Sequence, residues 1–154
     1  KGDLLVATGS AKTVGNNKIV YAALISEIIS ISEYGSSKRF SIKKPTLKGE
    51  WFNKHGDNIY ERHNEKWKQL RNPHHFSHDL ERDTNGQNVL ICEEFWYFGK
   101  NAIDIPSKLQ EVIKSGPGHK RLKGQVFNNE FYNWLTLKEH GVNGIPEMEP
   151  DIPS

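Results

Sequence analysis

Two long apolar segments dominate the pattern of hydrophobic and polar positions along the chain. The first, residues 17–34, contains five isoleucines and a valine, and β-branched residues favour strand over helix. Together with a short apolar run before it, this segment predicts an antiparallel pair of strands over residues 3–7 and 18–31, with a bulge or bend near Glu27. The second long segment, residues 88–99, predicts a further strand that ends in an aromatic cluster and a glycine.

Two segments nearer the C-terminus have helical spacing. The first predicted helix covers residues 105–120, where Pro106 suits the first turn and a Gly-Pro-Gly sequence is expected to end the helix. The second follows from apolar positions at i, i+4, i+7 and i+8 within residues 127–135, and we expect Gly141 to close it. The apolar face of this second helix consists of Phe127, Phe131, Trp134 and Leu135.

A long polar region lies between the apolar segments. Residues 35–51 contain five basic residues and one acid around a proline, and they predict a basic loop with a short extended piece. Residues 53–86 carry no strand signal, so we predict that they form polar loops. Binding and catalytic groups are often placed on loops held by a rigid scaffold, which makes this region the first place to search for function.

These elements together predict an α+β fold: a small, mostly antiparallel sheet, two flanking helices and long polar loops. A chain of 154 residues suits one compact domain, which we place at residues 1–144. Residues 145–154 predict an acidic tail with three acids, no base and three prolines. Without the tail, 21 basic residues face 16 acids, and this mildly basic body is compatible with a polyanionic partner without demonstrating one.

Cysteine content and hydropathy exclude several classes of protein. The single cysteine, Cys92, excludes an internal disulfide framework and a cysteine-rich zinc site, and it suits a reducing cytoplasm. We predict that Cys92 is a buried structural thiol. No apolar run approaches the roughly 20 residues of a membrane-spanning helix, so we predict no membrane partner and a cytoplasmic location.

The sequence GDNIY, at residues 56–60, is the first candidate for a binding site. Asp57 and Asn58 favour turns, because their side chains bond to nearby backbone groups. The carboxamide of Asn58 could also read the edge of a base, since it offers a donor and an acceptor together. Tyr60 could stack on that base or cap the core, and an ordinary turn explains all three residues equally well. We expect Asn58→Ala to change stability little, provided that no buried bond depends on Asn58.

Three histidines follow within NPHHFSHD, at residues 72–79. Imidazoles and a carboxylate, here His74, His75, His78 and Asp79, are ligand types that suit zinc or iron. Their spacing matches neither HExxH nor a pattern of two histidines and one carboxylate, so we predict no metal and no other cofactor. His74 and His75 are expected to hydrogen-bond a ligand or their own loop, or simply to lie on the surface.

Two further segments allow two interpretations each. In SGPGHK, at residues 115–120, the glycines permit close approach to a phosphate and Lys120 supplies charge, but the glycines could instead only end a helix. In FWYFG, at residues 95–99, strand alternation places Tyr97 on one face and Trp96 on the other. One face must be core, and the other could stack on a base or be core as well.

The order of these sequences resembles the nucleotide modification associated domain of the second type. The resemblance covers about residues 2–120 and includes GDLLVATGS, KIVYAALISEIISISEY, RFSIKKP, GDNIY, the tandem histidines, LICEEFWYFG and GPGHK. It implies a setting beside phage and bacterial systems that modify DNA bases. The opening is also similar to PUA-like domains of the EVE and ASCH type, which implies a partly closed β-barrel whose pocket recognises a base.

The residues and the resemblance together suggest a module that recognises a nucleotide or a modified base, free or within nucleic acid. In this interpretation Asn58 reads the base edge, Tyr60 or Tyr97 stacks on the base, lysines contact phosphate, and a histidine donates a hydrogen bond. The predicted ligand-binding residues are Ser10, Lys12, Lys43, Lys44, Asp57, Asn58, Tyr60, His74, His75, Tyr97, Gly118, His119 and Lys120.

Other functions remain open at the level of sequence. The chain could be an enzyme that acts on a modified base or nucleotide, with Asp57 and either His74 or His75 as general acid and base. A metal-dependent hydrolase centred on the histidine segment is a weaker form of the same idea. A protein-interaction module that uses the tail is a third alternative.

Overall fold

The computed structural model describes residues 1–10, 12–116 and 118–146. Most of the predicted acidic tail, residues 147–154, lies outside the described residues, as does Pro117 of the predicted phosphate loop. The described residues form seven strands, three α-helices and five short 3-10 helices. The strands are β1 Leu4–Thr8, β2 Lys18–Ser30, β3 Tyr60–His63, β4 Lys66–Gln69, β5 Asn88–Tyr97, β6 Ile103–Asp104 and β7 Gly141–Val142. The α-helices are α1 Ile31–Ser36, α2 Leu80–Asn85 and α3 Gln125–Thr136.

The strands form one larger sheet and one hairpin. The larger sheet has the order β1-β2-β5-β7, with β6 paired to β2, and β3 and β4 form a separate two-stranded sheet. The predicted antiparallel pair is confirmed: Leu4 faces Leu24 and Thr8 faces Ile19, with a bulge between Ala7 and Thr8 rather than near Glu27. Among the described strands no pairing closes the larger sheet into a barrel, so the fold is mixed α and β, and the PUA-like barrel remains a prediction.

The chain divides into two compact units. The first unit comprises residues 1–26 and 92–154, and the second unit comprises residues 27–91. Trp96, Phe131, Leu135, Ile19 and Leu109 are fully buried in the first unit. They place α3 and one face of β5 in an apolar core. The predicted amphipathic helix is therefore confirmed, although it ends at Thr136 and Gly141 begins β7.

The second unit has a smaller apolar core, formed by Ile29, Tyr34 and Phe40. Helix α1 begins after Ser30, whose hydroxyl accepts the backbone N–H of Glu33 at 3.0 Å and so caps the helix. The strand formed by the β-branched run therefore ends at Ser30, which caps helix α1.

The hairpin β3–β4 contradicts the prediction that residues 53–86 contain only loops. Its turn, Asn64–Glu65, has positive φ angles of 47° and 64°, as the tightest hairpin turns require. Charged pairs replace apolar alternation across the strands: Glu61 faces Lys68, and Arg62 lies over the ring of Trp67 at 5.5 Å. A strand stabilised by such cross-strand pairs gives no hydrophobic signal.

The predicted helix over residues 105–120 is also wrong. Only Ser107–Val112 is helical, as a 3-10 helix, and Ile113 is already extended with ψ at 127°. Ile105 and Leu109 are both buried, so their spacing reflects core packing around a single short turn rather than a longer helix.

Candidate functional site

A cavity of about 290 Å³ lies within the second unit. Its walls come from α1, from the residues just before β3, from α2 and from the start of β5. The residues that carry polar groups into these walls are Tyr34, Asp57, Asn58, Tyr60, Asp83 and Asn88. Three of them belong to the GDNIY sequence, so the structure places this sequence at a cavity.

Asn58 is the most deeply buried polar residue of the cavity wall, with 1% of its surface exposed. Its Nδ2 donates to the carbonyl of Tyr34 at 2.9 Å and to the carbonyl of Phe40 at 3.1 Å. These two carbonyls fix the orientation of the amide, because both hydrogens of Nδ2 are used. Oδ1 is buried and has no hydrogen-bond partner among the described residues. Asn58→Ala was expected to change stability little provided that no buried bond depends on Asn58, and these two buried bonds mean that this condition is not met.

Two glycines allow the backbone to place Asn58 this deeply. A Cβ on Gly35 would lie 2.1 Å from the carbonyl oxygen of Tyr60, so only glycine lets α1 approach β3 so closely. A Cβ on Gly56 would lie 2.3 Å from the carbonyl oxygen of Lys43. That same carbonyl accepts the backbone N–H of Asn58 at 3.1 Å. The KKP and GDNIY sequences thus pack backbone against backbone.

Tyr34 and Asp57 form a hydrogen-bonded pair at the cavity. The hydroxyl of Tyr34 donates to Oδ1 of Asp57 at 2.8 Å. Burial, together with this carboxylate, raises the pKa of Tyr34 above its ordinary value, so the hydroxyl stays protonated and remains a committed donor. The other carboxylate oxygen of Asp57 has no partner among the described residues.

Tyr60 and Asp83 form a second pair with the same chemistry. The hydroxyl of Tyr60 donates to Oδ2 of Asp83 at 2.7 Å, and burial followed by this contact raises the pKa of Tyr60. Nδ1 of His75 lies 2.8 Å from the same oxygen, and Nε of Arg82 lies 2.9 Å from Oδ1. Tyr60 first, and then Arg82 and His75, hold the pKa of Asp83 at about 2. Asp83 is therefore ionised at neutral pH, and both of its oxygens are occupied.

Two more buried polar side chains hold the loops around the cavity. Nδ2 of Asn72 donates to the carbonyl of Gly56 at 2.9 Å, next to the GDNIY turn. Asp79 accepts the backbone N–H of Phe76 at 2.8 Å and pairs with Arg82 at 2.8 Å. The bond to Phe76, and then the charge of Arg82, lower the pKa of Asp79. The histidine segment is therefore anchored at both ends by buried polar groups.

The predicted ligand residues of the second unit occupy different environments. His75 contacts Asp83 in the cavity wall, whereas Nε2 of His74 lies 2.7 Å from Nδ1 of His55. The ammonium of Lys44 pairs with Glu61 at 2.5 Å, so its charge is neutralised within the unit. Lys43 contributes its backbone carbonyl, while its side chain is exposed.

The remaining predicted ligand residues belong to the first unit, which is considered by itself. The hydroxyl of Ser10 accepts the backbone N–H of Lys12 at 3.2 Å, and the Lys12 side chain is exposed. Tyr97 is half-buried in β5, while Trp96 on the opposite face of the strand is fully buried. Three further predicted residues are exposed between the 3-10 helix and α3: Gly118, His119 and Lys120.

The described part of the chain holds no group of three histidine, cysteine or carboxylate side chains that could bind a metal. Of the four residues considered as ligands, His74 and His75 have separate partners, His55 and Asp83. His78 lies 3.6 Å from Asp79 and stacks on Phe76 with ring centroids 5.8 Å apart. Within the same residues no helix is long and apolar enough to cross a membrane.

Sequence reasoning missed three polar residues of the cavity wall: Tyr34, Asp83 and Asn88. Tyr34 stands at the end of the long apolar run, and Asp83 stands in a polar segment that was predicted to be a loop. The available signal was Gly35 directly after the apolar run, because glycine lets two backbone segments approach closely.

Comparison with known proteins identifies a family and little beyond it. No curated protein matches the chain, and no solved structure matches it. A model of the family described as nucleotide modification associated domain 2 matches residues 1–151. This match covers nearly the whole sequence, and the chain belongs to the nucleotide modification associated domain 2 family.

Proposed function

We propose that the second unit binds a nucleobase through an amino group of the base, with Oδ1 of Asn58 as the acceptor in the cavity wall. The observation that carries this proposal is the buried Oδ1, which has no partner among the described residues. Oδ1 is closed off from solvent, so the wall must open to admit a ligand N–H, and that contact would remove the cost of about 1–3 kcal/mol of a buried acceptor without a partner. The family description, which associates the domain with nucleotide modification, supports a base as that ligand.

The hydrogen-bonding character of the wall favours a ligand that donates. Both tyrosine hydroxyls donate to carboxylates, and both Nδ2 hydrogens of Asn58 are used by backbone carbonyls. Of the groups that remain, Oδ1 of Asn58 and one oxygen of Asp57 only accept, and the carboxamide of Asn88 both donates and accepts. Cytosine, adenine and guanine carry an exocyclic amino group with two N–H donors, whereas thymine and uracil offer only one imide N–H, which lies between two carbonyl oxygens. An acceptor-rich wall therefore favours bases with an exocyclic amino group over thymine and uracil, whose carbonyl oxygens flank their single N–H.

Size and charge favour a single base over a whole nucleotide. The cavity, at about 290 Å³, lies near the lower limit of roughly 300 Å³ for small-molecule sites. Ile31, Ile59 and Val89 provide apolar surface for the faces of a base. Asp57 and Asp83 are unfavourable neighbours for phosphate. We therefore place the sugar and phosphate outside the cavity.

The finer features implied by the sequence resemblance belong to the same proposal. They are a PUA-like barrel, a phage or bacterial setting and a cytoplasmic location. The order of the motifs from residue 2 to residue 120 supports the first two, and the single cysteine supports the third.

Binding of free nucleosides tests the proposal. Titration calorimetry is expected to show that cytidine, adenosine or guanosine binds at least about tenfold more tightly than uridine and thymidine, which corresponds to about 1.4 kcal/mol. The matched pair of variants is Asp57→Asn, which replaces the remaining acceptor oxygen by an N–H donor, and Asp104→Asn, the same change at an exposed acid of the first unit. Asp57→Asn should weaken binding about tenfold, while Asp104→Asn should leave it unchanged. Equal binding of uridine and cytidine, or an Asp57→Asn variant that binds normally, would refute the proposal.

One observation favours a second candidate function, catalysis on the bound base. Asp83 contacts Nδ1 of His75 at 2.8 Å, and a carboxylate in this position fixes the tautomer and leaves Nε2 as a proton acceptor. An enzyme that uses His75 as general base should lose turnover in His75→Gln while it retains base binding. A His75→Gln variant that loses binding and turnover together would assign His75 to positioning the wall.

A further inference from the structure

The second unit contains another cavity, of about 470 Å³, which we call the basic cleft. It is lined by Leu47, Lys54, Arg71, Asn72, Pro73 and Phe76. No acidic residue lines it, whereas the smaller cavity has two carboxylates in its wall. The two cavities of this unit therefore have opposite electrostatic character.

Arg71 differs from the other arginines of the second unit. Arg39, Arg62 and Arg82 each contact a carboxylate at 2.9 Å or less. Arg71 is exposed and has no acidic partner within the described residues, and the same holds for Lys54. The fold thus neutralises three guanidinium groups and leaves the fourth available at the cleft, beside an available ammonium group.

Phe76 adds an aromatic surface to these charges. Its side chain is exposed, at 58%, and stacks on the ring of His78 with an interplanar angle of 16°. Its backbone N–H is held by buried Asp79 at 2.8 Å. An exposed aromatic ring on an anchored backbone is available for stacking and loses little conformational freedom when it stacks on a ligand.

A hydrogen bond connects the basic cleft with the smaller cavity. Asn72, in the lining of the cleft, donates to the carbonyl of Gly56 at 2.9 Å. Gly56 immediately precedes Asp57 and Asn58, which line the smaller cavity. One short segment of backbone thus separates the two linings.

We propose that the basic cleft binds the backbone and a neighbouring base of a single-stranded nucleic acid whose target base enters the smaller cavity. This inference rests on the proposed function and names its substrate as a base within a strand. Lys54 and Arg71 contact phosphate, and Phe76 stacks on the neighbouring base, a combination typical of proteins that bind single strands. A single strand is favoured over a duplex, since a paired base is stacked and cannot enter a cavity without being extruded.

The experiment compares a nucleoside with an oligonucleotide that contains it. The probes are cytidine, adenosine and guanosine, six-residue DNA and RNA oligonucleotides with one of these bases at the centre, and the DNA as a duplex. We expect the single-stranded oligonucleotides to bind at least about tenfold more tightly than the nucleosides. Binding of the oligonucleotides should weaken with salt, and two phosphate contacts contribute about −1.4 to the slope of log affinity against log salt.

Two sets of variants separate the cleft from the cavity. Lys54→Gln with Arg71→Gln should remove about 1.4 from the salt slope and lower oligonucleotide affinity towards that of the nucleoside. Phe76→Ala should weaken oligonucleotide binding about tenfold, and both sets should leave nucleoside binding unchanged. The control for charge is Lys38→Gln with Lys66→Gln, two exposed lysines of the same unit outside the cleft. Circular dichroism verifies that each variant is folded.

The outcomes distinguish the two proposals. If nucleosides bind but the double cleft variant binds oligonucleotides as the parent does, the cleft proposal fails and the base site stands. If no nucleoside binds, the base site fails, and the placement of the target base in the smaller cavity fails with it; oligonucleotide binding that the cleft variants weaken would then support only the contacts of the strand with the cleft. If neither probe binds, both proposals fail. A duplex that binds as tightly as the single strand overturns the single-strand assignment, and the DNA and RNA probes identify which strand is preferred.

Discussion

The two compact units are stabilised by different kinds of core. The first unit buries a group of large apolar side chains around Trp96, Phe131 and Leu135. The second unit buries a smaller apolar group together with Asn58, Asn72 and Asp79, which are the buried polar residues of the described chain. Each of these three polar side chains is hydrogen-bonded to backbone groups of a loop or short helix.

This difference shows what each kind of core contributes. Apolar packing contributes stability roughly in proportion to the buried area, and it does not depend on hydrogen-bond direction. Buried polar groups fix the positions of the segments that they join. A carbonyl or N–H in a low-dielectric interior is stable only when it has a hydrogen-bond partner at a suitable distance and angle. Both cavities lie in the unit with the polar core, where side chains must be held at defined places on loops.

The largest expected effect is in the first unit. Trp96→Ala should lower the free energy of unfolding by about 3–5 kcal/mol, because it removes the largest fully buried side chain. The indole N–H has no acceptor among the described residues, so the loss is one of packing, and Trp96→Phe should retain more stability than Trp96→Ala. Urea unfolding followed by circular dichroism measures both values. A loss below about 1 kcal/mol would contradict an apolar core centred on Trp96.

A comparable effect from one polar side chain is expected in the second unit. Asn58→Ala should lower the free energy of unfolding by about 2–4 kcal/mol, because it leaves two buried carbonyls, those of Tyr34 and Phe40, without their donor. The control is Asn133→Ala, at an exposed position of α3, where a change within about 0.5 kcal/mol is expected. If both variants unfold at the same urea concentration as the parent, the polar core does not hold this unit.

Gly35 tests whether close backbone contact, rather than side-chain packing alone, positions the cavity wall. Gly35→Ala should destabilise the protein by about 1–3 kcal/mol, because its Cβ would lie 2.1 Å from the carbonyl oxygen of Tyr60. At Gly86 the nearest atom to an added Cβ is 3.5 Å away, so Gly86→Ala should be tolerated. Thermal melting distinguishes the two variants, and equal melting temperatures would show that α1 can shift without loss.

The smallest expected effect concerns pH. Asp83 has a pKa of about 2 against an ordinary value of 3.8, so its stabilising contribution is present above about pH 4 and is lost as the pH falls from 4 to 2. Tyr60→Phe removes the largest cause of this shift and should lower stability at neutral pH by about 1–2 kcal/mol. Urea unfolding at several pH values should show that the difference from the parent shrinks below pH 4. A difference that stays constant down to pH 2 would mean that Asp83 is not the linked group.

Much of the larger sheet and α3 was predictable from sequence. The β-branched composition of the run of residues 17–34 matches the strand Lys18–Ser30, and the period of residues 127–135 matches a helix that buries one apolar face. The hairpin β3–β4 was not predictable in this way, because its strands pair through charged side chains. Its turn, Asn64–Glu65, also contains no glycine that would have marked it as a turn. Local spacing also misassigned residues 105–120, where apolar residues pack around one short turn.

Within the candidate site, sequence identified the GDNIY residues and His75 but not the way in which they act. Asn58 was predicted as a side chain with a free donor and a free acceptor. The fold uses both of its donor hydrogens for backbone carbonyls and leaves the acceptor. Lys44 was predicted to contact phosphate, yet Glu61 lies within ion-pairing distance because the hairpin brings it there. Neither partner can be read from the local sequence.

The sequence by itself determined the family, the main strands and the C-terminal helix, and it singled out the turn of the candidate site, since each depends on residues that are close together along the chain. Only the tertiary structure decided which polar groups remain available. The partners of Asn58, Tyr34 and Tyr60 are 18 to 24 residues away from them in sequence. A hydrogen bond between such distant residues is set by chain topology, and the acceptor character of the cavity and the free charges of the basic cleft follow from that pairing.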